Sequence, residues 1–270
     1  MYFSVNDADY WYEVHGDGAR SLVLLHGFTG STETWSFFIK RRPAQLRLIL
    51  IDLPGHGKTK TKKLKSMEEC CSDLVQLFDH IGLKKFHLAG YSMGGRTALS
   101  FTMLYPQYVQ SLILESASPG LEDETERKAR VEKDEQLARK IESEGMEAFV
   151  HYWENIPLFE SQKRLPESVR QKIRSGRLRQ SAEGLALSLR SMGTGKQPSW
   201  WHLLGKMSVP VLLLVGELDA KYVTINQKMQ AEIPTCKLVI CENAGHAVHI
   251  EDRDAFIRHV SLFITDKEDT

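Results

Sequence analysis

A glycine–serine–glycine turn between a short apolar run and a helical pattern is the feature that most restricts how this chain can fold. The turn is Gly90-Tyr91-Ser92-Met93-Gly94; it follows the apolar run Phe86–Ala89 and precedes a helical pattern that starts near Gly95. In this setting a G-x-S-x-G motif is a nucleophile elbow, a strained turn that lifts a serine above the edge of a sheet. Both flanking glycines are needed because side chains there would clash with the neighbouring strand and helix. The motif therefore predicts that Ser92 is a catalytic serine at the start of a helix.

Short apolar runs alternate with helical patterns along most of the chain. Each run has the length and unbroken hydrophobicity of a strand that is buried on both faces, and the alternation predicts an α/β fold with a mostly parallel, doubly wound sheet. Residues 1–15 alternate polar and apolar around Asn6-Asp7, which predicts a hairpin. The predicted strands are Leu22–Leu25, Leu48–Ile51, Phe86–Ala89, Leu112–Leu114, Val211–Val215 and Lys237–Ile240, and the predicted helices are Met67–Ile81, Gly94–Tyr105, Tyr222–Ala231 and Arg253–Phe263.

One long interval, about residues 121–204, contains no such run and is charged and helix-prone. Structureless loops of that length are rare in compact domains, so the interval must fold by itself. We predict that it forms a helical lid over the carboxyl edge of the sheet. The chain has no internal repeat and no low-complexity linker, so we expect residues 1–270 to be a single domain that carries this insertion.

A catalytic serine needs a histidine base and an acid, and with this type of elbow both follow later in the chain, the acid first. Asp219 comes soon after the fifth predicted strand, with Glu217 as the alternative acid. His246 comes shortly after the sixth, and His249, in the helix-like stretch beyond it, is the competitor. We expect the His246 Nδ1–H to bond to Asp219, which leaves Nε2 to take the proton of Ser92.

Two backbone amides are predicted to form an oxyanion hole. The loop His26-Gly27-Phe28 follows the first predicted strand, and in this kind of fold one donor comes from that loop and the other from the residue after the nucleophile. The expected donors are the amides of Phe28 and Met93. No pattern indicates a metal site, a phosphate-binding loop or a dinucleotide site, so no cofactor is expected. We interpret Asp52–Gly57 as a structural turn.

Arginines point to an anionic substrate. Arg96 lies one helical turn after Ser92, so its guanidinium is expected near the serine. Residues 163–179 of the predicted lid contain seven basic side chains and one acidic side chain. A single lid arginine is usually solvated, but guanidinium groups suit bidentate binding of carboxylate or phosphate. Together with Arg96, these arginines favour a small anionic substrate over the apolar substrates of lipases.

Charge and cysteine usage restrict the partners and the compartment. The chain has 35 basic and 35 acidic residues, a balance that argues against nucleic acid or a membrane surface as a partner. Its apolar runs are too short to cross a bilayer. Four cysteines without a CxxC pair, and an N-terminus without a basic and then apolar segment, indicate a cytoplasmic protein. No feature indicates an oligomeric state.

At these motifs the chain resembles one enzyme family. Over nearly its whole length it is similar to the 2-succinyl-6-hydroxy-2,4-cyclohexadiene-1-carboxylate synthase (MenH) family of the α/β-hydrolase superfamily. The elbow and the His-Gly-Phe loop are shared by many α/β-hydrolases, whereas Gly94-Gly95-Arg96, Ser118–Leu121 and Met192–Pro198 are more specific. The stretches that carry the resemblance are Leu25–Gly30, Asp52–Gly57, Gly90–Arg96, Glu115–Leu121, Trp153–Phe159 and Ser191–Pro198.

The resemblance implies an α/β-hydrolase fold and a carbon–oxygen lyase of menaquinone biosynthesis. The family's substrate, 2-succinyl-5-enolpyruvyl-6-hydroxy-3-cyclohexene-1-carboxylate, carries three carboxylates; the enzyme removes a ring proton and expels pyruvate. Glu154 departs from the family, because some members have an aromatic residue there. The implied functional residues are Ser92, Asp219 and His246 for the triad, Arg96, Arg130 and Arg174 for carboxylate binding, and Tyr91 and Trp153 for the pocket.

Two other functions remain open from the residues alone. A carboxylester or thioester hydrolase acting on a small anionic substrate needs the same triad, so only the arginines and the lid motifs argue against it. A non-catalytic α/β-hydrolase-fold receptor is disfavoured by the complete set of Ser92, Asp219 and His246. Because a fold does not determine an activity, the arrangement of the site has to discriminate among the three.

Overall fold

The computed structural model describes residues 1–265, in which nine strands form one sheet. The spatial order is β1-β2-β4-β3-β6-β7-β8-β9, and β5 pairs with β2. The three pairings made by β2 are antiparallel and the other five are parallel, so the predicted α/β class with a mostly parallel sheet is confirmed. The strands are β1 (Tyr2–Val5), β2 (Ala8–His15), β3 (Arg20–Leu25), β4 (Leu46–Ile51), β5 (Lys60–Thr61), β6 (Phe86–Tyr91), β7 (Val109–Glu115), β8 (Val211–Gly216) and β9 (Cys236–Cys241).

Helices connect most of the parallel strands, and further helices fill the interval between β7 and β8. The α-helices are α1 (Ser36–Lys40), α2 (Met67–His80), α3 (Met93–Leu104), α4 (Glu124–Trp153), α5 (Glu167–Leu178), α6 (Ala182–Met192), α7 (Ala220–Glu232), α8 (Val248–Glu251) and α9 (Arg253–Thr265). Short 3₁₀ segments are Thr32–Trp35, Pro106–Tyr108, Pro157–Arg164 and Trp201–Lys206.

The sheet is buried on both faces, and its central strands are accordingly apolar at most positions. Side chains alternate across a strand, so Val23 and Leu25 of β3 pack into one core together with helices α2 and α3. Leu22 and Leu24 point to the opposite face and pack with Phe38 and with helix α9. Such a two-sided core requires continuous apolar strands, which is the pattern that identified them in the sequence.

The helical segment between β7 and β8 has a small core of its own. Helices α4 and α6 pack through Ile141, Phe149, Leu185 and Leu189, all of them buried. Helix α4 is kinked at Gly145, whose φ of 77° leaves the helical region. This segment coincides with the interval in which the sequence predicted helices and no strand. Within residues 1–265, no helix is both long and apolar enough to span a membrane.

Two buried histidines make the stability of the fold depend on pH. The His26 Nδ1–H donates to the Gly27 carbonyl oxygen (2.8 Å), and His26 Nε2 accepts the Leu53 N–H (3.0 Å), so the neutral ring has a partner at each nitrogen. The His56 ring lies 5.1 Å from it, between ring centroids. Burial lowers the pKa of His26 to about 4 and that of His56 to about 3. Both imidazole rings are therefore neutral in the folded protein at neutral pH.

Acidification should destabilise the protein through these two rings. Both histidines titrate near pH 6.5 in the unfolded chain, so below that pH the unfolded state binds more protons and stability falls as the pH falls toward 4. When the pH is lowered from 7 to 5, protonation of these two histidines in the unfolded chain should reduce the free energy of unfolding by on the order of 3 kcal/mol. Chemical denaturation at both pH values measures the loss. In His56→Gln the pH-dependent loss should shrink by about half; an unchanged slope would contradict the assignment.

Candidate active site

Ser92 occupies the tight turn between β6 and α3. Its backbone has φ 50° and ψ −107°, a conformation that is strained for any side chain other than glycine. Its N–H donates to the Glu115 carbonyl oxygen at 2.8 Å, which ties the turn to β7. A Cβ on Gly90 would lie 2.2 Å from the Gly94 carbonyl oxygen, and one on Gly94 would lie 2.2 Å from the Leu25 carbonyl oxygen. The two glycines thus allow the close packing that holds Ser92 at the edge of the sheet.

The structure brings Ser92, Asp219 and His246 together in one hydrogen-bonded line. Asp219 follows β8 at the N-terminus of α7, and His246 follows β9. His246 Nδ1 lies 2.6 Å from Asp219 Oδ2, and His246 Nε2 lies 3.0 Å from Ser92 Oγ. Asp219 and His246 are both buried. A carboxylate at Nδ1 fixes the tautomer whose free Nε2 accepts the serine proton, so the arrangement is competent for proton transfer through Ser92.

The two alternative residues weighed from the sequence lie elsewhere. Glu217 is exposed and accepts the Asn243 N–H at 3.0 Å. The ring of His249 is buried, with Nδ1 2.9 Å from the carboxylate of Glu115. The geometry therefore favours Asp219 and His246 over both of them.

The two amides expected to form the oxyanion hole belong to segments next to the elbow. Met93 is the next residue in the chain, and Phe28 follows β3, the strand that pairs with β6 next to the elbow. Among the hydrogen bonds of residues 1–265, neither amide acts as a donor. Gly27 is required beside Phe28, because a Cβ there would lie 2.6 Å from the Tyr91 ring. Both amides are consequently available to an oxyanion and stay the proposed donors.

Arg96 is a buried guanidinium without a carboxylate partner. Its Nη1 donates to the Met192 carbonyl oxygen at 2.9 Å and to Gln197 Oε1 at 3.1 Å, and in the described chain it forms no ion pair. Burial lowers its pKa to about 10, so the group is still charged at neutral pH. Buried charges are normally paired, so an unpaired guanidinium one helical turn from Ser92 is suited to bind an anion. Gln197 was not predicted as a site residue, although it belongs to the family-specific stretch Met192–Pro198.

Arg130 lines a cleft close to Arg96. Its Nε donates to Asp134 Oδ1 at 2.9 Å, and its side chain is 38% exposed. Ser118, Trp153 and Tyr222 line the same cleft. The positive charge of Arg130 helps to lower the pKa of Arg96, so the two guanidinium groups lie close enough to interact electrostatically. Among the described residues, four basic and four acidic side chains line this cleft, so the case for an anionic ligand rests on the unpaired Arg96 nearby.

Aromatic rings enclose His246. The ring of Tyr222 lies 4.7 Å from the imidazole, that of Tyr91 5.4 Å and that of Phe159 6.1 Å, measured between centroids. Trp153 packs on Phe28 at 5.4 Å and on Phe159 at 5.8 Å. Burial keeps the pKa values of Tyr91 and Tyr222 above the usual range, so both phenols are neutral. Tyr222 was missed in the sequence; its position, three residues after Asp219 at a helix start, was the available signal.

The structure does not bring Arg174 to the serine. Its Nη1 lies 2.5 Å from Glu154 Oε1 and its Nη2 lies 3.2 Å from Glu147 Oε2. The two carboxylates leave little net positive charge at this position. Glu154, the residue that departs from the family pattern, is therefore one of the two residues that neutralise Arg174.

A serine elbow bonded to histidine and acid on this sheet defines an α/β-hydrolase-fold protein, and the α/β hydrolase fold family matches residues 20–253. The chain is 48% identical over 94% of both chains to the putative 2-succinyl-6-hydroxy-2,4-cyclohexadiene-1-carboxylate synthase of Bacillus subtilis. It is 32% identical over 86% of both chains to the synthase of that name from an Enterobacter species. The structure of MenH from S. aureus superposes with a TM-score of 0.91 at 36% identity, covering 94% of this chain and 98% of that one. The chain belongs to the 2-succinyl-6-hydroxy-2,4-cyclohexadiene-1-carboxylate synthase family.

Proposed function

We propose that this protein is a lyase of menaquinone biosynthesis. It eliminates pyruvate from 2-succinyl-5-enolpyruvyl-6-hydroxy-3-cyclohexene-1-carboxylate and gives 2-succinyl-6-hydroxy-2,4-cyclohexadiene-1-carboxylate, the product for which its relatives are named. The observation that carries the proposal is Arg96, a buried cation without a carboxylate partner one helical turn from Ser92. An esterase for neutral substrates has no use for such a charge, whereas a substrate with three carboxylates supplies its counter-ion.

In the proposed reaction Ser92 acts as a proton acceptor. The ring proton next to the succinyl carbonyl passes to Ser92 Oγ as the proton of Ser92 passes to His246 Nε2. The electron pair of the broken C–H bond moves through the carbonyl into the ring, a second ring double bond forms, and the C–O bond to the enolpyruvyl group breaks. The leaving enolate takes a proton back and departs as pyruvate. Asp219 stabilises the imidazolium of His246 that exists between the two proton transfers.

The other proposed roles concern charge and shape. The amides of Phe28 and Met93 stabilise negative charge on the succinyl carbonyl oxygen. Arg96 and Arg130 bind carboxylates, and Tyr91 and Trp153 form the wall of the pocket. Helices inserted over about residues 121–204 serve as the lid of a single domain. Four free cysteines are compatible with the proposed cytoplasmic location.

A coupled assay tests the proposed function. The enolpyruvyl substrate is generated enzymatically, the protein is added, and the released pyruvate is followed with lactate dehydrogenase and NADH. Because the substrate also loses pyruvate spontaneously, the quantity that matters is the rate above this background. A large rate enhancement, with near-silence on a panel of p-nitrophenyl esters, is the expected result. Folded protein that gives no enhancement but hydrolyses the esters briskly would establish the esterase instead.

Replacing Arg96 with glutamine should lower kcat/KM about a hundredfold, mainly through KM, because charge-assisted hydrogen bonds to a substrate carboxylate are lost. The melting temperature should not fall, since the variant no longer buries an unpaired charge. The matched control is Arg139→Gln, which removes an exposed arginine that is paired with Glu135. Initial rates over a range of substrate concentrations give both constants. An unchanged KM in Arg96→Gln would contradict the proposed role.

A further inference from the structure

The backbone on both sides of His246 is bound by a single carboxylate. The Gly245 N–H donates to Glu251 Oε2 with an N···O distance of 2.8 Å, and the Ala247 N–H donates to Glu251 Oε1 at 3.4 Å. These two amides belong to the residues directly before and after the histidine. Glu251 therefore holds the main chain of His246 in the way that Asp219 holds its ring.

The position of Glu251 in the chain explains how its side chain reaches this loop. Glu251 is the last residue of α8 (Val248–Glu251), and its own N–H donates to the Ala247 carbonyl oxygen at 2.9 Å. One helical turn thus brings the carboxylate back to the loop that precedes the helix. Within residues 1–265 Glu251 forms no ion pair, so both oxygens are used on the loop.

The chemistry of the side chain matters at this position. An ionised carboxylate has two acceptor oxygens and no donor, so it can satisfy two backbone N–H groups at once. A glutamine has one acceptor oxygen, and its NH2 group would face the second N–H. Hydrogen bonds from amides to a charged acceptor are also stronger than those to a neutral one. A carboxylate is consequently the group that fixes this stretch of backbone most firmly.

A second carboxylate holds the far end of the same segment. Glu115, at the end of β7, is 1% exposed, and its Oε1 accepts the His249 N–H at 2.9 Å. His249 Nδ1 lies 2.9 Å from both oxygens of this carboxylate. The backbone carbonyl oxygen of Glu115 accepts the Ser92 N–H at 2.8 Å. Because the far end is tied to the serine turn, loss of the Glu251 contacts should release only the part around His246.

Proton transfer in the active site depends on a single short contact of that part. His246 Nε2 lies 3.0 Å from Ser92 Oγ. A displacement of about 1 Å between reacting groups can lower a rate about a hundredfold, so the backbone that carries the imidazole has to be fixed.

We propose that Glu251 is a positioning residue of the active site. It acts through His246: by binding the amides of Gly245 and Ala247, it keeps the imidazole within hydrogen-bond distance of Ser92 Oγ. The role applies to any proton transfer through Ser92, whereas its measurement by pyruvate release rests on the proposed function.

Replacement of Glu251 should lower kcat and leave KM nearly unchanged. Glu251→Gln, which keeps one acceptor, should lower kcat for pyruvate release about tenfold, and Glu251→Met, which keeps none at a similar length, about a hundredfold. KM should change less than twofold in both. Glu242→Gln is the matched control, because Glu242 is an exposed acid on the same loop; its kcat should stay within twofold. A melting temperature above the assay temperature verifies that each variant is folded.

A double variant separates positioning from a general loss of stability. Ser92→Ala/Glu251→Met should be no slower than Ser92→Ala alone, because a residue that acts only through the proton relay has no effect once the relay is broken. Partial unfolding would instead lower the rate by the same factor in both backgrounds. Multiplicative losses would overturn the proposal.

Proton NMR tests the proposal without any turnover. The proton between His246 Nδ1 and Asp219 Oδ2, atoms 2.6 Å apart, should give a far-downfield resonance that broadens or disappears in Glu251→Met and is unchanged in Glu242→Gln. A kcat within twofold and an unchanged resonance in folded Glu251→Met would overturn the proposal and leave the proposed function intact. Absence of pyruvate release by the unaltered protein would reject the proposed function, and the resonance would still decide the role of Glu251.

Discussion

Ser92→Ala should lower kcat for pyruvate elimination by about ten-thousandfold, at the upper end of what a positioned general base contributes. The variant removes the oxygen that lies 3.0 Å from His246 Nε2 and so disconnects the imidazole from the substrate. Arg96 and the two proposed oxyanion amides stay in place, so KM should change less than threefold. The coupled pyruvate assay, corrected for spontaneous loss, measures both constants.

Ser100→Ala is the matched control for this variant. Ser100 lies two helical turns further along α3, is fully buried, and accepts a hydrogen bond from Trp200 Nε1 at 2.9 Å. Its replacement removes a hydroxyl from the same helix without touching the proposed machinery, so kcat should stay within twofold. A rate in Ser92→Ala within tenfold of the unaltered protein would show that the base is another group.

The state of Ser92 during turnover distinguishes the lyase from the hydrolase. In the proposed elimination Ser92 only accepts and returns a proton, so intact-protein mass spectrometry after rapid quenching should show no added mass. An esterase with the same triad passes through an acyl-serine. A covalent adduct that forms on Ser92 with the enolpyruvyl substrate would contradict the proton-acceptor role, whatever the fate of pyruvate.

Much of the fold follows from local sequence because its central strands are buried on both faces. The run Val211–Val215 predicts β8 (Val211–Gly216) closely, since a strand covered on two sides uses apolar residues in succession. The elbow fixes the end of β6 and the start of α3 through steric demands at Gly90 and Gly94. The strand order was not available from these patterns, because pairing between distant strands depends on contacts that no local window contains.

The proposed site separates into a part that the sequence predicts and a part that it does not. Ser92, Asp219 and His246 each follow a predicted strand, so the carboxyl edge of a parallel sheet brings them together. Arg96 is placed by its helical spacing from Ser92. By contrast, the partners of lid arginines depend on how one helix docks against another. Arg174 and Arg177 are three residues apart, yet the first is neutralised by Glu154 and the second is buried over Phe159.

Replacement of Asp219, the proposed acid of the triad, is expected to have the second large effect on kcat. Asp219→Asn should lower kcat about a thousandfold with little change in KM. An asparagine amide donates a hydrogen bond to His246 Nδ1 and so selects the tautomer that carries its proton on Nε2, which cannot accept a proton from Ser92. Asparagine also caps helices well, so the start of α7, which Asp219 caps through the Tyr222 N–H, should remain intact and the melting temperature nearly constant.

Glu217→Gln is the control for Asp219→Asn, since Glu217 is the other acid that follows β8 and its carboxylate accepts the Asn243 N–H. Its kcat should stay within twofold; a loss that follows Glu217 instead of Asp219 would reassign the acid. The double variant Ser92→Ala/Asp219→Asn should be no slower than Ser92→Ala alone, because residues that act as one proton relay lose their effect together. Multiplicative losses in the double variant would mean that Asp219 acts on the substrate independently of Ser92, which the line from Asp219 through His246 to Ser92 does not allow.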